Sequence, residues 1–114
     1  MLDALAAPCL TSVARRHVHL DKVIAGLSEC PAQSMIFAER IGGEFRPESE
    51  AVVLELSESE LSRPIRDVAA ERAPGMEYFL EVFIALEMLE GSRSKGAALG
   101  SIVERIIYYA ENDA

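Results

Sequence analysis

The side chains whose types and spacing first suggest chemistry are His17, His19 and Asp21, two imidazoles and a carboxylate set two positions apart. On a β-strand, alternate side chains project to one face, so the three would converge on a single metal ion. On an α-helix, successive members of the set point about 200° apart and cannot share an ion without help from elsewhere. The surrounding pattern is helical: Leu10, Val13, Leu20, Ile24 and Leu27 follow the rhythm of one helical face. Two histidines at the edge of an amphipathic helix are therefore expected, with no metal. Cys9 and Cys30 stand far apart with no CxxC or Cys/His spacing and read as two reduced thiols. GxGxxG, GxxxxGK[ST], HExxH and GxSxG are all absent. No catalytic residue, no cofactor and no enzymatic activity are expected.

Charge placement says more. The chain has 114 residues and a formal net charge of −8, which bounds it to a single small acidic domain over 1–114. Affinity for a phosphate backbone comes from clustered Lys and Arg, so nucleic acid is not an expected partner. Residues 1–43 hold Asp3, Asp21, Glu29 and Glu39 against Arg15, Arg16, Lys22 and Arg40, and residues 91–114 balance equally. The whole excess lies in residues 44–90, where twelve acids face Arg46, Arg63, Arg66 and Arg72. Its sharpest run is Glu44, Glu48, Glu50, Glu55, Glu58 and Glu60 against Arg46 alone. Clustered like charges raise the free energy of the compact state, and a partner of opposite sign is one reason to keep them. A solvated face that aids solubility is the other.

The elements that must position these residues follow from periodicity. A helix is expected from Ser12 to Leu27, capped by Thr11 or Ser12 and ended at Glu29-Cys30-Pro31. Met35–Ile41, short, aromatic and β-branched, then meets Gly42-Gly43 and predicts a strand entering a hairpin. Ala51–Leu56 alternates as a second strand with one face inward. Ser57 and Glu60 stand at capping-box spacing before a short turn, and a helix is expected from Arg63 to Arg72. Met76 to Glu90 predicts a third, central helix with both Phe79 and Phe83 inside, and Gly91–Gly96 a polar connection. Leu99, Ile102, Val103, Ile106 and Ala110 mark a last amphipathic helix. The expected fold is α+β: a small antiparallel sheet of two or three strands against about four helices, in the order α-β-β-α-α-α. The apolar stretch Met76–Leu89 is too short and too charged to span a bilayer, and Met1–Cys9 lacks a basic start, so no membrane is expected and the cytoplasm is the expected compartment.

Two segments carry a family resemblance. Tyr78–Gly91, with its interleaved apolar and acidic residues, and Ile106–Ala114 make residues 75–114 resemble bacterial contact-dependent growth-inhibition immunity proteins. The resemblance implies a small acidic cytoplasmic protein that binds and neutralises a cognate toxin domain, commonly a basic nuclease, by covering its active site or substrate cleft. It carries no defined set of functional residues. Charge placement supplies them instead: Glu44, Glu48, Glu50, Glu55, Glu58 and Glu60 as the expected partner-binding acids, with Phe45 as an aromatic anchor among them. Glu77 and Glu81, four apart on the expected third helix, are the second-choice surface. The free protein is expected to be a monomer or weak dimer. The alternative is a structural or regulatory homo-oligomer packed through the apolar helix 76–90.

Overall fold

A computed structural model describes residues 18–112. The fold is α+β, built on a four-stranded antiparallel sheet: β1 (Val18–His19), β2 (Met35–Ala38), β3 (Glu50–Leu54) and β4 (Glu77–Glu81), in the spatial order β1-β3-β2-β4. Five helices accompany it: α1 (Leu20–Ala25), α2 (Glu58–Leu61), α3 (Ile65–Arg72), α4 (Val82–Ser94) and α5 (Leu99–Asn112). A 3₁₀ turn over Leu27–Glu29 follows α1.

β2 and β3 pair antiparallel with Ile36 opposite Val53 and Ala38 opposite Ala51, as the hairpin signal predicts. Their connection turns at Gly42 and Gly43, both at positive φ (64° and 88°), with Ile41 and Glu44 bridged across them. Only glycine takes that geometry without steric cost, and it matches the twist of the flanking arms. α3 and α5 form where their apolar spacing places them.

Three expectations are corrected. First, the helix expected from Ser12 starts at Leu20: Val18 and His19 instead pair with Ala51 and Glu50 along the edge of β3. No side chain caps α1; Leu20 and Asp21 donate their N–H groups to the Ser49 and Pro47 carbonyls at 2.8 and 2.9 Å. The stretch Ser12–His17 lies outside the described residues, as does Cys9.

Second, the expected helix over 76–90 is two elements. Gly75, at φ 83°, turns the chain so that Glu77–Glu81 can pair with β2, and α4 begins only at Val82. The edge of β2 offers backbone partners that an isolated helical pattern cannot reveal. Opposite Ile36 and Phe37 the pairing carries a β-bulge at Phe79, so Phe79 and Leu80 enter the same apolar cluster. Phe79 is buried as expected, but Phe83 is 46% exposed. α4 runs on through the expected polar connection to Ser94, and Gly96 at φ 83° follows its end.

Third, the sheet is covered on both faces. Ala51, Val52, Val53 and Leu54 are all buried, so β3 has no solvent face. Ile36, Ala38, Ala51 and Val53 pack with residues of α1, α4 and α5, among them Ile24, Ala85, Leu89, Ile102 and Ile106. Phe37, Val52 and Leu54 pack with Ala69, Ala73 and Met76 on the α3 side. Two apolar clusters result, one on each face of the sheet, each removing side chains from water at about 25 cal/mol per Å².

Candidate functional site

The acidic run does not form one patch. Glu44, Glu48 and Glu50 sit in or next to the β2–β3 connection, whereas Glu55, Glu58 and Glu60 follow the far end of β3. Five strand residues hold the two groups about 17 Å apart at roughly 3.4 Å per residue.

In the far group, Glu55 and Glu60 are tied into local structure. Ser57 and Glu60 close a capping box on α2, the Ser57 Oγ accepting from the Glu60 N–H at 3.2 Å and Glu60 Oε1 from the Ser57 N–H at 2.9 Å. Arg72 adds a salt bridge to Glu60 at 2.7 Å. The Ser57 N–H and then the Arg72 guanidinium hold the Glu60 carboxyl below the usual carboxylate range. Glu55 accepts from Gln33 Nε2 at 3.3 Å, and Glu58 lies exposed in the first turn of α2, where the helix N-terminus favours a carboxylate.

Of the near group, Glu44 lines a cleft. The loop side supplies Glu44, Phe45, Arg46 and Pro47, and α5 supplies Glu104, Ile107, Tyr108, Glu111 and Asn112, around a volume of about 550 Å³. A second hollow of about 260 Å³ shares Pro47 and Glu104 and extends the groove to Leu99 and Asp21. The Asp21 Oδ1 atom is buried and has no hydrogen-bond partner among the described residues. Glu104 is exposed and Glu48 is exposed, and neither forms an ion pair among the described residues. Glu44 meets Arg46 only at 3.7 Å. Tyr108, 66% exposed, is the most accessible large apolar side chain among the described residues.

Phe45 is corrected from an exposed anchor to part of the core beneath this cleft. It is buried, its ring edge-to-face with Phe79 at 5.0 Å. The Arg40 guanidinium lies 4.1 Å above the same ring, and the Phe45 N–H donates to Glu111 Oε2 at 2.7 Å. Arg40 also donates to Glu111 at 2.8 Å and to Glu77 at 3.0 Å, linking the end of α5 to the start of β4. The Arg40 hydrogen bond, and then the Phe45 N–H, hold the Glu111 carboxyl below its ordinary range, while Glu111 and Glu77 push Arg40 higher.

Glu77 and Glu81 do not share a helical face. Glu77 stands opposite Ala38 and Glu81 opposite Met35, on the two different faces of the sheet, because the bulge between them shifts the alternation. Glu81 lines a separate corner of about 400 Å³ with Met35, Leu61 and Phe83. Ser34 lines the same corner, and its buried Oγ has no partner among the described residues. His19 is exposed in β1 and Asp21 is in α1, and His17 lies outside the described residues. Among the described residues, no group of three His, Cys, Asp or Glu side chains could hold a metal ion, and no helix is long and apolar enough to cross a membrane.

Sequence reasoning missed the α5 wall because residues 91–114 sum to zero charge. The spacing of Glu104, Tyr108 and Glu111, at i, i+4 and i+7, was the available signal. No protein-family model, no curated protein and no solved structure matches the chain.

Proposed function

We propose that the protein is a small acidic inhibitor of the contact-dependent growth-inhibition immunity type, acting in the cytoplasm. It binds a cognate toxin domain one to one and neutralises it by covering a cationic active site or substrate cleft, most fittingly that of a nuclease. The observation that carries this reading is the groove between the β2–β3 connection and α5, where Phe45, Pro47, Ile107 and Tyr108 lie between the carboxylates of Glu44 and Glu104, with Arg46 the one cation in its lining among the described residues, in a chain of net charge −8. A carboxylate rim over an apolar floor steers a basic partner into encounter and then buries its contact residues, which raises association rates at low salt. The activity is binding, with no chemical step.

The test is to look for a gene immediately upstream that ends in a toxin-like domain, whose absence would favour the second reading below, and to co-express the protein with that domain. A one-to-one complex by light scattering, loss of toxicity, and no retardation of DNA or RNA by the protein alone are expected. A neighbouring toxin domain that neither binds nor is neutralised would overturn the reading.

Homo-oligomerisation is the second reading, and the observation favouring it is the exposure of Leu61 and Phe83 around one hollow. The surface differs from the helix 76–90 of the sequence expectation, since Val82, Ala85 and Leu89 of α4 are buried within the subunit. A monomeric mass for the isolated protein at high concentration removes this reading.

A further inference from the structure

Among the described residues, one guanidinium is both stacked on an aromatic ring and held by carboxylates. Arg40 stacks on the Phe45 ring at 4.1 Å while its N–H groups reach Glu111 at 2.8 Å and Glu77 at 3.0 Å. The aromatic face attracts the planar cation, and the edge of the guanidinium stays available to carboxylates. Along α5 the same components recur. Glu104 and Tyr108 stand at i and i+4 and line the cleft beside the Glu111 that Arg40 already engages, with Tyr108 66% exposed. Glu104 pairs with no arginine or lysine of the described residues, and Glu44 on the facing wall meets its own Arg46 only at 3.7 Å.

We propose that this groove is an arginine seat for the partner protein: a partner guanidinium stacks on Tyr108 and donates to Glu104 and Glu44. The inference rests on the reading that the partner is a basic protein, and adds which basic side chain the groove selects. Arginine fits better than lysine for two reasons. Its guanidinium is planar and presents several donors at once, so stacking and carboxylate contacts are made together. It is also more weakly hydrated, so it loses less on entering a hollow floored by Phe45, Pro47 and Ile107. The continuation of the groove past Pro47 and Glu104 toward Leu99 leaves room for residues next to that arginine, which suits a polypeptide rather than a free guanidinium compound.

The experiment uses the full chain, ¹⁵N-labelled, titrated separately with blocked tetra-arginine and tetra-lysine peptides of equal charge and with free arginine amide. The arginine peptide is expected to bind roughly tenfold more tightly than the lysine peptide, the scale of one stacked cation. Its chemical-shift changes should centre on residues 44–47 and 104–112. Tyr108→Leu should abolish the preference for arginine while leaving charge-driven binding of both peptides, Tyr108→Phe should keep it, and Glu104→Gln should weaken both peptides. Because Tyr108 and Glu104 are exposed, the variants are expected to melt like the parent, and circular dichroism verifies this. Equal affinity for the two peptides, or a preference that survives Tyr108→Leu, overturns the arginine seat and leaves the basic-partner reading standing. Free arginine amide binding as tightly as the peptide overturns the assignment to a protein side chain. A toxin domain that binds while neither peptide perturbs the groove overturns the seat by placing the interface elsewhere.

Discussion

Glu60 spends its carboxylate on the Ser57 N–H and Arg72, and its neighbours Glu55 and Glu58 lie beside a hydrogen-bonded glutamine and in a helix first turn. Glu44 and Glu48, drawn from the same acidic run, stand in a loop beside an open groove, with Glu104 brought to them from α5. The two regions are equally rich in glutamate and employ it differently. A carboxylate that satisfies backbone N–H groups is a structural part, whereas one left with solvent and a facing hollow keeps its charge available to a partner. Net charge by segment cannot separate the two; hydrogen-bond partners and the surface each carboxylate faces together can.

The comparison can be broken at several places. The largest expected effect is beneath the groove: Phe45→Ala or Phe79→Ala should cost roughly 3–5 kcal/mol by removing a buried ring, whereas exposed Phe83→Ala should cost under about 1 kcal/mol. Chemical denaturation of the three variants checks this, and equal losses would mean the groove does not stand on the core. Next in size, Glu44→Lys with Glu104→Lys should slow association with a basic partner on the order of tenfold at low salt and flatten its salt dependence. The same reversals at Glu55 and Glu58 should leave association near the parent value; surface plasmon resonance at two salt concentrations compares them. In the far region the effect moves from binding to stability. Ser57→Ala removes the cap of α2 and should cost about 1 kcal/mol with no change in partner binding.

The smallest effect is a pH dependence. Glu111 titrates below its ordinary value of 4.5 in the folded chain, so the unfolded chain binds more protons as the pH falls. The stabilisation from Arg40 is therefore fully present above about pH 4.5 and is lost as the pH drops through the lowered folded value. Since Arg40 and Glu111 are partly exposed, roughly 0.2–1 kcal/mol is at stake, and Glu111→Gln should remove that part of the acid slope in melts between neutral and acid pH.

Much of the scaffold is readable from local pattern. The β2–β3 pairing, α3, α5 and the Ser57/Glu60 cap each depend on residues close in the chain. The elements that escaped depend on partners far along it. Val18 and His19 become a strand because β3 has an open edge, and Tyr78-Phe79-Leu80 becomes one because β2 does. A run apolar on nearly every side is equally compatible with a buried helix and a doubly covered strand. Of the groove, Glu44 and the loop were legible as charge, while the α5 wall was hidden by Arg93, Lys95 and Arg105, which cancel its acids in the sum without facing the same hollow.

The bulge in β4 has an evolutionary side. The cross-strand pairs on either side of it, Ile36 with Leu80 and Phe37 with Tyr78, are those of an uninterrupted ladder, so Phe79 is in effect an inserted residue. Deleting it would leave each of those pairs in register and the sheet recognisable. It would also take away the ring against which Phe45 packs, and with it the footing of Arg40 and the groove wall. A chain lacking that single codon would keep the strand register and lose the groove wall, so a shared sheet pairing among distant relatives would say little about a shared groove.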